Sequence, residues 1–335
     1  MKPDATDAAA AESAGPAPTR GTPWAKWVLR LAVSAAILFF LGRYLYLSWR
    51  NAAEYEWQLR PGLLALSLVV LFVGEAALGI CWHLIFAALG AKVSLRESCR
   101  ALMLGQLAKY VPGKVFTLVA RVHLMQQVGV RGGTTMVAQV IEGAALCVSA
   151  MVVGAACGIG APGLFAHRSF NLLFLAIPIG LLVMHPVVLQ RPVEFAARKL
   201  GRPAVELRAT YGNLLAVTGC YTFSWIVFGI GLYCLAGATG ASPGDVWVYV
   251  GAYALAWVAG FVVFVTPGGL GAREAALAAL IGPQIGAAPA IALALLARVW
   301  VTVGEIVCAA AVSNFRIRSF LPENREHDDG ATDGN

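Results

Sequence analysis

Charged residues are scarce in this sequence. They make up 13% of its 335 residues, against about 25% in a soluble globular domain, and the mean hydropathy is +0.72. That shortage excludes a water-solvated surface and points to an integral membrane protein. No polar linker separates two apolar blocks, so one helical bundle is expected rather than two domains. Cys-x-x-Cys is absent and the seven cysteines are odd in number, which speaks against a disulfide framework and a zinc site. Most lie inside apolar runs, where free cysteine behaves as a small hydrophobe. His-Glu-x-x-His, Gly-x-Ser-x-Gly and an Asp-rich metal pair are missing, and the five histidines are scattered. No catalytic residue, metal or cofactor is therefore expected, and the chain does not read as an enzyme. The net charge of +7 does not indicate a nucleic-acid partner, because the basic residues flank apolar runs instead of forming a stripe interleaved with aromatics.

Long apolar runs are what the sequence has in plenty. Residues 1–23, rich in Ala, Pro, Ser and Thr, read as a disordered tail. The run that follows to about Leu47 has no convincing small-residue cleavage site and reads as an uncleaved anchor. Trp24 and Trp27 at one end and Tyr44, Tyr46 and Trp49 at the other suit the membrane interfaces. Further spans are expected at 62–89, 134–159, 169–190, 213–239, 245–265 and 288–313, each near or above the ~20 residues that cross the hydrocarbon. The organisation is a tail (1–23), a polytopic membrane domain (24–315) and a charged tail (316–335). Of the 25 Lys and Arg residues, nineteen fall on one side: the N-terminal tail, the 90–132 region, the 190–211 loop and the C-terminal tail. Arg43, Arg50, Arg60 and Arg168 fall on the other. Both termini are accordingly expected in the cytoplasm, with the protein in a bacterial inner membrane.

Two stretches are not simple spans. In 94–130, Ser94 and Glu97 form a capping box that opens a helix; it runs to Tyr110 and breaks at Pro112–Gly113, with Lys114 just beyond. In 242–283, Ser242, Pro243 and Asp245 make a similar start, with Pro at the first helical position, and the helix breaks at Pro267, Gly268, Gly269 and Gly271. Each stretch lies between two long spans, and by the charge count they enter from opposite sides. The expected fold is all-α, with about seven transmembrane helices plus two Pro/Gly-broken hairpins arranged as an inverted repeat. Unwound backbone survives in hydrocarbon only where protein or water pairs it. Breaks at matching places in two inverted halves are the usual sequence pointer to a transporter's binding site. The helix restarting after each break presents unpaired N–H groups and a positive dipole end, which suits a phosphate.

Ionisable residues within the apolar sequence form a second constellation: Glu75, Glu142, Arg273, Glu274, Arg298 and Glu305, with Lys109, Lys114 and Arg121 on the first hairpin. A charge at the bilayer centre costs at least ~2.5–3.5 kcal/mol, so several need partners or water. Arg298 and Glu305 are two turns apart and share a helix face. For Glu75 and Glu305 a packing salt bridge and a site role both stay open. For Arg273, Glu274 and Arg298 the neighbouring break favours a wet cavity, and the excess of cations around the hairpins favours an anionic head group.

"PGGLGAREAAL" (267–277), Arg298 within "LLARVWVTVGE" (295–305), and "YVPGKVFTLVARVHLM" (110–125) together resemble the lysylphosphatidylglycerol synthase transmembrane-region family of flippase-like membrane proteins. The resemblance covers about 60 to 315. It carries over Pro112, Gly113 and Arg121 in the first motif, and Pro267, Gly268, Gly269, Gly271, Glu274 and Arg298 in the second. Members commonly have Glu-Arg in the helix after the first hairpin, where this chain has Glu142–Gly143. The best-known members carry a soluble aminoacyltransferase domain after the membrane part; this sequence ends in a short charged tail, so aminoacyl-lipid synthesis is not expected. The leading expectation is a transporter that moves an anionic phospholipid or polyprenyl-phosphate-linked lipid between leaflets, with Glu142 or Glu274 as carrier of a coupling proton. The alternatives are a non-catalytic partner of a separate glycosyltransferase or lipid-modifying enzyme, and an intramembrane enzyme acting on a lipid-linked sugar. The substrate-binding set is Pro112, Gly113, Lys114, Arg121, Glu142, Pro267, Gly268, Gly269, Gly271, Arg273, Glu274 and Arg298.

Overall fold

Proline opens the first helix that can be followed, α1 (Pro61–Ala88), at a position where its missing N–H leaves no bond unmade. The computed structural model describes residues 58–110, 115–160, 175–199, 207, 209–241, 244–262 and 271–317. The expected tail, the anchor to Leu47, and the breaks at Pro112, Gly113 and Lys114 and at Pro267, Gly268 and Gly269 lie outside these residues. After α1 come α2 (Leu95–Leu107), a 3-10 turn (Ala108–Tyr110), α3 (Val115–Gln126) and α4 (Gly132–Gly160). Then follow α5 (Ala176–Val183), α6 (Pro186–Lys199), α7 (Tyr211–Ala238), α8 (Val246–Val262), α9 (Ala272–Ile285) and α10 (Ala287–Ile317). Among the described residues no strand occurs.

α1, α4, α7 and α10 are long and apolar enough to cross a membrane, and α8 is a shorter apolar helix. Their outer faces carry apolar stripes at helical spacing: Leu66, Val69, Val73, Ile80 and Leu84 on α1, and Val299, Val303 and Ile306 on α10 are exposed. Continuous apolar stripes of this kind are stable facing lipid and prone to association in water.

Local chemistry sets the helix ends. Ser94 Oγ accepts from the Glu97 N–H while the Glu97 carboxylate accepts from the Ser94 N–H at 3.1 Å, the capping box that starts α2. α8 begins at Val246, not at Pro243: Asp245 Oδ1 accepts from the Trp247 N–H at 2.9 Å, so the aspartate sets the start and Pro243 lies outside the described residues. The expected span over 169–190 is interrupted in its described part. Pro186 has no N–H to continue the ladder, the His185 N–H takes the Leu182 carbonyl instead, and α6 starts afresh. Gly271, at φ 87°, precedes α9 in a conformation that a side chain would strain.

Two apolar clusters form, one at each end of the long spans. Leu71 of α1, Leu232 of α7, Val248 and Ala252 of α8, Leu277 of α9 and Leu293 of α10 belong to the first. Trp82 of α1, Leu102 of α2, Met125 of α3, Ile141 of α4, Leu214 of α7 and Ala309 of α10 belong to the second. The α8–α9 pair thus packs at one end and the α2–α3 pair at the other. Gly229 lets α7 approach the backbone of α8 at Val250, where any Cβ would collide. The clusters share only the partly buried Leu78 and Leu146 at their margins. Between them, ionisable side chains meet aromatic and aliphatic ones.

Candidate functional site

A cavity of about 330 Å³ occupies that gap. Glu75, Glu142, Ser224 and Glu305 reach it from α1, α4, α7 and α10, and Glu75 sits about 20 Å from either end of its helix at 1.5 Å per residue. Seven ionisable residues line it, four cationic and three acidic: Lys109, Arg121, Arg273 and Arg298 with Glu75, Glu142 and Glu305. So many charges in an apolar bundle require partners, and most have them.

Three ion pairs each join a short helix or turn to a long span. Arg121 of α3 donates to Glu142 of α4, and also to Gln139 Oε1 at 2.9 Å. Gln139, one turn before Glu142, donates to the same carboxylate. The Arg121 guanidinium lies 4.8 Å from the centre of the Trp82 ring, a cation–π contact, and its stem crosses α2 at Gly105, where a Cβ would strike it. Lys109, in the turn after α2, pairs with Glu305 of α10. Arg298 Nη1 of α10 stands 3.9 Å from Glu274 Oε1 of α9. The other Glu274 oxygen accepts from the Gly271 N–H at 2.7 Å, so this carboxylate also caps its own helix.

Arg273 and Glu75 are placed differently. The Arg273 guanidinium lies 4.9 Å from the centre of the Tyr253 ring. Glu75 is 1% exposed, and its Oε2 has no hydrogen-bond partner among the described residues. A carboxylate oxygen left without a partner at such depth is rare, and Glu75 is among the residues that line the cavity.

The structure therefore brings Arg121, Glu142, Arg273 and Arg298 of the sequence-derived set to one cavity, with Glu274 directly behind Arg298 and Gly271 at the start of α9. Arg298 and Glu305, two turns apart on α10, both line it. Pro112, Gly113, Lys114, Pro267, Gly268 and Gly269 lie outside the described residues. Sequence reasoning missed Gln106 and Gln139 and the aromatic lining: Trp225 and Phe228 of α7, with Tyr253, Trp257 and Phe261 of α8. The last three recur every fourth residue, a stripe that was available as a signal. The expected excess of cations is smaller than the basic residues suggest, because each ion pair brings its own carboxylate.

Gly143 also lines the cavity, and a Cβ there would meet nothing within 4 Å. The guanidinium on Glu142 comes from Arg121, on another helix, and not from the position that follows it.

The double role of Glu274 has a measurable consequence. Arg298→Ala leaves Glu274 its bond to the Gly271 N–H, whereas Glu274→Ala removes both the cap and the carboxylate beside Arg298. Glu274→Ala is expected to lower unfolding stability by about 1–2 kcal/mol more than Arg298→Ala. Thermal melts of the two purified variants check this; an equal loss removes the capping role.

These features define a class, helical membrane proteins with an ionisable cavity held at mid-span between pairs of short helices. The chain belongs to the lysylphosphatidylglycerol synthase transmembrane-region family, whose model matches residues 27–306. No curated protein matches it. With that membership, the long apolar helices are those of an integral membrane protein of lipid-related function.

Proposed function

We propose that the protein moves an anionic lipid, a phospholipid or a polyprenyl-phosphate-linked lipid, between the two leaflets, with no covalent step. The observation that carries this reading is the mid-span cavity lined by Lys109, Arg121, Arg273 and Arg298. Arginine forks match phosphate oxygens, and in a low-dielectric surrounding such contacts are strong. The head group occupies the cavity while the acyl or prenyl chains stay in the bilayer. In this reading α2–α3 and α8–α9 are re-entrant hairpins related as an inverted repeat, within about seven spans of a bacterial inner membrane, both termini cytoplasmic. The packing of the two pairs at opposite ends of the spans supports it.

The test is a leaflet-resolved assay on purified protein in liposomes, using tail-labelled phosphatidylglycerol and a tail-labelled prenyl phosphate with an impermeant quencher. Quenching is expected to extend from the outer leaflet to nearly the whole labelled pool, and to slow when Arg273 is replaced by Gln. Transfer no faster than in protein-free vesicles, from protein that still binds the lipid, would replace transport with the role of a non-transporting partner.

A further inference from the structure

Resting on the reading that the cavity receives a lipid head group, its lining also specifies what that head group carries. The rings of Phe228, Tyr253, Trp225, Trp257 and Phe261 form an unbroken run: Phe228 stacks on Tyr253 at 5.6 Å, and Trp257 on Phe261 at 5.1 Å. Trp225 joins them, 6.2 Å from Tyr253 and 5.3 Å from Trp257. Trp225 is fixed in place by its Nε1–H, which donates to Ser149 Oγ at 2.9 Å. A phosphate alone has no use for such a surface.

The polar lining is mixed in sign at short range. A bare phosphate offers only acceptors, so it would meet Glu75, Glu142 and Glu305 as like charges. An ammonium offers only donors, so it would meet Lys109, Arg121, Arg273 and Arg298 in the same way, and Arg273 already covers the Tyr253 face. A hydroxyl both donates and accepts, and vicinal hydroxyls can serve an adjoining carboxylate and guanidinium together. The C–H face of a pyranose is apolar and weakly electropositive, which suits the negative face of an indole ring. Glu75, which lines the cavity and is not part of an ion pair among the described residues, supplies an acceptor for one such hydroxyl.

We propose that the cavity binds the glycosyl phosphate of a lipid-linked sugar, with the sugar on the Trp225–Trp257 rings, a hydroxyl donating to Glu75, and the phosphate on Arg273 and Arg298. The test measures binding of three short-chain probes to the full chain in detergent: citronellyl phosphate, its hexosyl ester, and dihexanoyl phosphatidylethanolamine. The hexosyl ester is expected to bind about tenfold more tightly than the bare phosphate. Trp257→Leu should reduce that ratio at least about fivefold, and Trp257→Phe, which keeps a ring, should preserve most of it. Equal affinities for ester and bare phosphate, or a ratio unmoved by Trp257→Leu, overturn the sugar assignment and leave the head-group reading standing. Tightest binding of phosphatidylethanolamine overturns it in favour of an amine. Binding of none of the three overturns the head-group reading itself.

Discussion

Gly143→Leu is expected to abolish lipid transfer from a protein that folds as well as the wild type. Glycine within a helix costs roughly 0.5–1 kcal/mol relative to alanine, and leucine is a good helix former, so α4 gains from the change. A Cβ at 143 meets nothing within 4 Å, and the residue faces the cavity. The added side chain therefore enters the head-group space from a Cβ that touches no protein atom. Gly143→Ala, which adds one methyl, should keep most of the transfer. Thermal unfolding and leaflet-resolved transfer of both variants separate the two effects. A Leu variant that melts at or above the wild-type temperature and still transfers lipid would take the cavity out of the route.

The second large effect is expected on stability. Arg121 is 3% exposed and holds Glu142, Gln139 and the Trp82 face at once. Arg121→Ala leaves the Glu142 carboxylate buried with, among the described residues, only the Gln139 amide as donor, which should cost about 3–5 kcal/mol. Removing the charge as well, in Arg121→Ala with Glu142→Gln, should recover much of that loss. Arg121→Lys should fall between, since an ammonium can pair with Glu142 but lacks the planar fork that also serves Gln139 and stacks on indole. Denaturation in detergent reports all three. A near-wild-type Arg121→Ala single variant means that water already reaches Glu142 and the pair is no structural clasp.

Much of the fold is legible in the sequence because lipid imposes a simple rule. The apolar runs at 62–89, 134–159, 213–239 and 288–313 are observed as helices 61–88, 132–160, 211–238 and 287–317. The Ser94–Glu97 box and the restart after Gly271 are also local, written within four residues. The interruption at Pro186 was hidden because residues 169–190 are largely apolar, and hydropathy does not register a missing N–H. Asp245 was read together with Pro243, and nothing local told which of the two opens the helix. At the site, the charged residues stood out by their expense in lipid, and the spacing of Arg298 and Glu305 placed both on one face. Their partners did not. Lys109 and Glu305 are 196 positions apart, and only the packing of α2 on α10 brings them together. The aromatic lining was masked for the opposite reason: Trp and Tyr in apolar helices look like ordinary core until a cavity is seen beside them.

The separation of the two apolar clusters carries a mechanical consequence. A bundle resists bending through interlocked side chains, and here the packing is divided into two clusters, with the cavity beside Glu75, Ser224 and Glu305 where they meet. Around the cavity, Leu78 and Leu146 touch both clusters, and ion pairs tie the short helices to the long ones. Such a bundle is expected to yield first at the cavity, with its two ends moving as blocks. A head group that fills the cavity is then expected to stiffen the bundle where it would otherwise bend.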